Sequence, residues 1–234
     1  MSVEGQLSER APFELAALDM AGTTIDEKGL VYRILDETVM TATGASIPAD
    51  LLARWKGTSK REAIAGLLAA LESDSSEAAV DKVFAEFTDR LVGTYGDHPP
   101  VPFPGVVDAL VDLRERGVRI ALQTGYSATI ADAILAGMGW RVGGDLIDAR
   151  ITSDLVPASR PAPYLIFRAM EATGVTNTQR VLVAGDTPND LAAGMNAGAA
   201  YVVGVLTGSF DATTLGREPH THLLPSVAHL PEIA

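Results

Sequence analysis

The sequence has no cysteine. Disulfides, thiolate nucleophiles and cysteine-based metal sites are therefore excluded. Positive charge is scarce: 18 Lys and Arg stand against 30 Asp and Glu, a formal net charge of -12 at pH 7. That balance argues against nucleic acid or an anionic membrane as a partner, because like charges repel. An anionic substrate must then be drawn in by local cations or a metal. No run of about 18 apolar residues occurs, so no membrane span is expected. The opening MSVEGQLSERAP has no apolar signal core, and a cytoplasmic location is the expectation. Internal repeats and low-complexity segments are also missing.

The chain does have 234 residues, enough for one large domain, or one domain with an insert, around a full hydrophobic core. Near its start an apolar run, Phe13 to Leu18, ends at Asp19, and Gly22-Thr23-Thr24 follow as turn residues. Two readings are open. Asp19 is a carboxylate delivered at the C-terminal tip of a buried strand, where open α/β sheets bind ligands, or it caps the next turn.

From 29 to 97 the apolar spacing is helical: Leu30 to Thr43, Ala49 to Trp55, Lys60 to Leu71 and Glu77 to Tyr95, with Ser59 as a candidate N-cap. A proline-rich connector, 98–105, closes this block. Strands and helices then alternate. Strands are expected at Val118 to Gln123, Leu146 to Ile151, Val181 to Ala184, Tyr201 to Leu206 and His222 to Leu224. Helices are expected at Val106 to Arg116, Ala128 to Gly137, Ala162 to Thr173 and Leu191 to Ala197, with a short one near Asp211 and a terminal helical turn. Apolar strands in βα alternation imply an α/β fold, a parallel sheet covered by helices on both faces. The block 29–97 reads as an all-helical unit inserted after the first strand, leaving 1–28 and 98–234 as the α/β core.

In a parallel sheet all strand C-termini lie on one edge. That edge would gather Asp19, the hydroxyl of Thr124 beside Gly125-Tyr126, Arg160, and Asp186 and Asp190 from Gly185-Asp186-Thr187-Pro188-Asn189-Asp190. Clustered carboxylates repel unless a cation sits among them. A hard cation with oxygen ligands, Mg²⁺, suits such a set. Metal, guanidinium, hydroxyl and turn N–H groups together could cradle a phosphoryl group, with Asp19 attacking phosphorus.

Asp19-Met20-Ala21-Gly22-Thr23, Thr124-Gly125, Arg160 and Gly185 to Asp190 resemble, in order and spacing, the four motifs of the haloacid dehalogenase superfamily. The resemblance covers nearly the whole chain. It implies a Rossmann-like core, Mg²⁺ held by Asp19, the Ala21 carbonyl and Asp186 with Asp190, and an aspartyl-phosphate intermediate. Thr124 and Arg160 would contact the phosphoryl oxygens, with Thr23 and Gly125 beside them, and the helical block would be a small cap domain. Two departures point to one branch. Ala21 stands where most family phosphatases hold an acid/base aspartate, and Arg160 stands where lysine is usual. Both are similar to the phosphonatase branch, whose first motif also reads DxAGTT and whose members act on phosphonoacetaldehyde.

An alkoxide leaving group needs a proton, whereas a carbon leaving group needs an electron sink such as a lysine imine. In that branch the lysine comes from the cap, three residues after a glycine. Gly57-Thr58-Ser59-Lys60 puts Lys60 at that position, although Ala63 replaces an assisting histidine. Lys60 is therefore open to three readings: imine formation, contact with a substrate anion, or a solvated lysine at a helix start. Lys56 competes for the active roles. Tyr126 is read either as a pocket wall or as packing against the cap, and Trp55 as cap or interface packing. His98 is read as hinge surface, and Asp26 and Asp154 as surface or loop. His220, His222 and His229 have no metal-like spacing. The resemblance also implies a homodimer. The expected partner is a small anionic phosphonate or phosphate. The alternatives are a phosphate-monoester phosphatase of the same superfamily without imine chemistry, and a non-catalytic binding protein on this fold.

Overall fold

The structure, a computed structural model, describes residues 10–234; the expectation drawn from the opening MSVEGQLSE lies outside them. In chain order the elements are β1 (Leu15–Asp19), β2 (Ile25–Asp26), α1 (Leu30–Thr43), α2 (Ala49–Trp55), α3 (Lys60–Ala70), α4 (Glu77–Asp97) and β3 (Val101–Pro102). Then follow α5 (Val106–Glu115), β4 (Arg119–Gln123), α6 (Ala128–Met138), β5 (Ala149–Ile151), α7 (Tyr164–Thr173) and β6 (Val181–Gly185). The chain ends with α8 (Pro188–Ala197), β7 (Tyr201–Val205), α9 (Ala212–Leu215) and β8 (His222–Leu224), plus a 3-10 turn over Val227–Ile233.

Six strands form one sheet in the order β5-β4-β1-β6-β7-β8, and every neighbouring pair is parallel. β1 is central because Leu15, Ala16, Ala17 and Leu18 are fully buried, which a strand covered on both faces requires. Successive side chains point to opposite faces. Ala16 and Leu18 join one apolar cluster, Leu15 and Ala17 another. Connections run to one side of β1 through β4 and β5, then return to the other through β6, β7 and β8. This reversal opens a crevice at the C-terminal tip of β1, the usual ligand position in such sheets. Register fixes what meets there: Asp19 lies opposite Gln123 and Leu18 opposite Ala184. Thr124 and Asp186 follow at once along the chain.

Helices α1 to α4 pack on one another and, through α4, on α6. The cluster containing Leu18 is continuous with Ile64 of α3, Phe87 of α4 and Ile130 of α6, so one apolar core runs from the sheet into the helical segment, joined through α6. Ser59 caps α3 as expected, accepting from the Glu62 N–H.

Several boundaries differ from expectation for local reasons. α8 starts at Pro188 rather than Leu191, because Pro188 suits the first helical position and Thr187 and Asp190 close a capping box. α7 starts at Tyr164, with Pro163 as its N-cap. β5 pairs only over Ala149–Ile151. A two-residue antiparallel pair, Ile25 with Pro102 and Asp26 with Val101, was not expected; such short runs carry no periodicity to read. It clamps together the two connectors that enter and leave the helical segment, and Phe103 N–H adds a bond to the Thr24 carbonyl at 3.1 Å. Asp26, expected as surface or loop, is therefore a half-buried strand residue that accepts from the Lys28 N–H. Asp154 accepts from the Ala128 N–H at 3.1 Å at the start of α6. No helix among the described residues is long and apolar enough to cross a membrane.

Candidate active site

Asp19 ends β1 with its carboxylate in the crevice. Its main chain is fixed by the Thr24 hydroxyl, which donates to the Asp19 carbonyl at 2.9 Å. Asp186 follows β6, and Asp190 stands at the third position of α8. One carboxylate oxygen from each of Asp19, Asp186 and Asp190 lies within 4.8 Å of the others, all three buried. Asp186 accepts from the Ser209 N–H at 2.7 Å and from the Thr23 hydroxyl at 3.3 Å. A Cβ on Gly22 would come within 2.7 Å of Asp186 Oδ2, and Gly22 has φ +84. The turn after β1 thus needs glycine for both its conformation and its close approach.

Arg160, 2% exposed, is the cation of this cluster. Nη2 lies 2.6 Å from Asp19 Oδ1 and Nη1 lies 2.7 Å from Asp190 Oδ1. Nε donates to the Gln123 side-chain oxygen at 3.0 Å. Nη2 also reaches the Gln123 carbonyl at 2.8 Å, and Nη1 the Gly57 carbonyl at 3.1 Å. The guanidinium is thus engaged by protein acceptors, holding the Asp19 carboxylate and the loop before α3 at once.

One guanidinium faces three carboxylates. Burial, with Asp19 alongside, pushes Asp186 and Asp190 above the ordinary carboxylate range, against the pull of Arg160. Asp190 Oδ1 accepts no aligned hydrogen bond. Such a set is short of positive charge, and its donors are all oxygen. A hard divalent cation among Asp19, Asp186 and Asp190 fits both facts.

The helical layer closes over the crevice. Lys60 N–H donates to the Gly125 carbonyl at 3.2 Å, Asn189 donates to the Lys56 carbonyl at 2.8 Å, and Ser159 N–H donates to Glu62 at 3.1 Å. The inner cavity is lined by Asp19, Ala21, Tyr32, Lys60, Thr124, Tyr126 and Arg160 among others, and offers only about 20 Å³, roughly room for one water. A cavity of about 390 Å³ adjoins it, sharing Ala21 and Tyr32 and lined also by Glu27 and Lys56.

Lys60 is 5% exposed, so it is not a solvated helix-start lysine. Nζ donates to the Thr58 carbonyl at 3.2 Å and faces the rings of Tyr32 and Tyr126, 5.2 and 5.6 Å away. Burial lowers its pKa to about 8, with Asp19 pulling it back up and Arg160 pressing it down. Lys56 lies outside this pocket, with Nζ over the rings of Tyr32 and Phe210. Thr124 is buried and its hydroxyl accepts from the Tyr126 N–H. Tyr126 lines the inner cavity and its hydroxyl lies 3.2 Å from that of Tyr95 on α4. Trp55 packs over Gly66, and His98 is exposed at the end of α4.

The sequence reading missed Glu27, Tyr32, Tyr95, Gln123 and Ser209. Ser209 follows β7, and the strand-end argument applied to the other strands could have found it. Gln123 ends β4 and was open to the same argument; Glu27 stands in a turn and Tyr32 and Tyr95 in helices, positions that no spacing marks.

Residues 13–198 match the family model of haloacid dehalogenase-like hydrolases. The chain belongs to that family. Among curated relatives, a phosphonoacetaldehyde hydrolase of Parabacteroides distasonis is 34% identical over 136 residues, covering 58% of this chain and 50% of that protein. A phosphonoacetaldehyde hydrolase of Bacillus cereus is 28% identical over 208 residues, covering 85% of this chain and 77% of that protein. The chain thus spans about half the length of the first of these relatives. The fold is shared more widely. The β-phosphoglucomutase of Clostridium difficile superposes with a TM-score of 0.79 at 18% identity, covering 93% of each chain.

Proposed function

We propose that this hydrolase cleaves the carbon–phosphorus bond of a small phosphonate bearing a carbonyl beside the C–P carbon, phosphonoacetaldehyde or a similar compound. One observation carries this reading: a buried lysine with a lowered pKa shares the inner cavity with Asp19, while position 21, beside both, is alanine. An alkoxide leaving from phosphorus would find no acid at Ala21. A carbonyl substrate would find an amine.

The neutral amine of Lys60 adds to the carbonyl and, with uptake of one proton and loss of water, forms an iminium, the protonated imine. Asp19 attacks phosphorus; the new O–P bond forms as the P–C bond breaks, and its electron pair moves into the iminium to give an enamine. Water then hydrolyses the acyl phosphate on Asp19; the enamine takes up a proton at carbon, and a second water hydrolyses the resulting iminium to carbonyl product and free Lys60, releasing the proton. Thr124 and Arg160 contact the phosphoryl oxygens, with Thr23 and Gly125 lining that side. Tyr126 walls the carbonyl end, and Lys56 draws the anion in from the outer cavity. Bound by Asp19, the Ala21 carbonyl and Asp186, with Asp190 supporting or ligating, Mg²⁺ would screen the two anions that must meet. Residues 29–97 act as a cap that opens for substrate and closes to exclude water.

The test is borohydride trapping with phosphonoacetaldehyde, followed by peptide mass spectrometry. An adduct on Lys60, lost together with turnover in Lys60→Arg, is the expected result. Hydrolysis of phosphate monoesters with no adduct would favour the ester-phosphatase alternative instead. An adduct on Lys56 would keep the chemistry and change the residue.

A further inference from the structure

Glu27 is a buried titratable group that the scheme above leaves unused. It lies in the turn between β2 and α1 and is 6% exposed. Its Oε2 accepts from the Val31 N–H at 2.8 Å and from the Tyr95 hydroxyl at 3.2 Å. The Tyr95 hydroxyl lies 3.2 Å from the Tyr126 hydroxyl. The Tyr126 ring is in turn 5.6 Å from Lys60 Nζ, in the inner cavity that both residues line. Three side chains from three separate elements therefore form one line of exchangeable protons. It starts at the tyrosine whose ring faces the amine across 5.6 Å and ends at a carboxylate that borders the outer cavities.

Capping α1 explains the bond to the Val31 N–H. It does not explain two buried tyrosine hydroxyls placed in series behind the same carboxylate oxygen, since a cap needs only an acceptor. Burial pushes Glu27 up, against its bonds to the Val31 N–H and Tyr95, and pushes Lys60 down. Both shifts shrink the free-energy gap for moving a proton from the ammonium to the carboxylate. The ionisable groups facing Glu27 are Tyr95 of α4, Tyr126 of the loop after β4, and Lys60 of α3.

We propose that Glu27 exchanges a proton with the Lys60 site through Tyr95 and Tyr126. It touches no substrate itself. The idea rests on the imine reading above. Lys60 ammonium passes one proton along the tyrosines to Glu27 and becomes the neutral amine. The amine adds to the carbonyl carbon, and a proton moves from the new N–C centre to the former carbonyl oxygen. The stored proton then returns from Glu27 through Tyr95 and Tyr126 to that oxygen, which leaves as water. Ammonium, carboxylate and aldehyde have become iminium, carboxylate and water, with no other reagent consumed.

The experiment measures the rate of borohydride-trappable Lys60 adduct with phosphonoacetaldehyde in wild type, Glu27→Gln, Tyr95→Phe and the double variant. The amide introduced by Glu27→Gln still offers an oxygen to the Val31 N–H. The Tyr95→Phe variant keeps the aromatic ring and leaves the helix cap untouched. Each single variant should slow adduct formation and kcat by about a hundredfold, within the range of acid–base assistance, with KM little changed. The double variant should be no slower than the slower single, because both break one path. Adduct formation at the wild-type rate in either variant, or losses that multiply in the double, would overturn the proposal while the imine reading stood. If wild type formed no adduct at all, both would fall.

Discussion

The backbone N–H of Lys60 donates to the carbonyl of Gly125 at 3.2 Å, which seats the first turn of α3 on the loop carrying Thr124. Nothing larger than glycine fits beneath it: a Cβ on residue 125 would lie 2.2 Å from the Thr58 carbonyl oxygen, closer than packed atoms can approach. Gly125→Ala should hold the 57–60 loop off the core and carry Lys60 with it. Misplacement of about 1 Å costs about a hundredfold in rate, and kcat/KM should fall by that much. The melting temperature should change little, since the sheet beneath is untouched. A variant with wild-type kcat/KM would separate this loop contact from turnover.

Asp19→Asn should leave the fold intact. Asparagine still gives Arg160 an oxygen to bond, and Asp190 remains as the guanidinium's charged partner. Alanine would be a poorer probe, because stripping a partner from a buried ion pair costs about 3–5 kcal/mol. The asparagine variant should lose turnover by about a thousandfold or more, the scale of losing a nucleophile. Acid-quenched wild type should show a phosphorylated peptide spanning residue 19, and the variant none. Retention of a substantial rate would remove Asp19 from the reaction.

The sheet and its tip residues were legible because they rest on short-range pattern. Apolar runs such as Leu15–Leu18 mark buried strands, and polar residues just past them mark the functional edge. The parallel register then brings residues 19, 124 and 186 together, while Asp190 follows on the first turn of α8 and Arg160 reaches in from the loop before α7. What stayed hidden depends on how the helices lie on the sheet. Nothing local to Glu27 reveals that Tyr95, 68 residues away, will stand over it. Nothing local to Arg160 shows that it reaches the Gly57 carbonyl as well as Asp19. The early start of α8 was readable from Thr187-Pro188-Asn189-Asp190 as a capping box, but apolar spacing alone placed it three residues late.

Asp186 takes its position from the Ser209 N–H and the Thr23 hydroxyl. Asp186→Ala should raise the Mg²⁺ concentration for half-maximal activity well beyond about tenfold, or abolish activity, because a ligand is lost. Thr23→Val removes only a partner of that ligand and should cost about tenfold in Mg²⁺ affinity. Titrating activity against Mg²⁺ in both variants checks the order. Equal curves for Asp186→Ala and wild type would place the metal elsewhere.

The pKa of Lys60, lowered to about 8 chiefly by burial, fixes the sign of two pH effects. Only the neutral amine adds to a carbonyl, so the rate of adduct formation should rise with pH through about 8 and level off above it. Hydrolysis of a phosphate ester needs no neutral amine and should lack that limb. The same shift acts on stability. Between about 8 and 10.5 the unfolded chain holds the Lys60 proton that the folded chain has released. Unfolding therefore binds a proton, and stability rises with pH across that window. Lys60→Met removes this contribution. The difference between wild-type and variant unfolding free energies, followed by urea titration from about pH 7 to 10, should move in favour of wild type as pH increases. If the difference is flat and adduct formation shows no limb near 8, Lys60 keeps its ordinary pKa in the folded protein. It would then be protonated at neutral pH and would serve only as an anion contact.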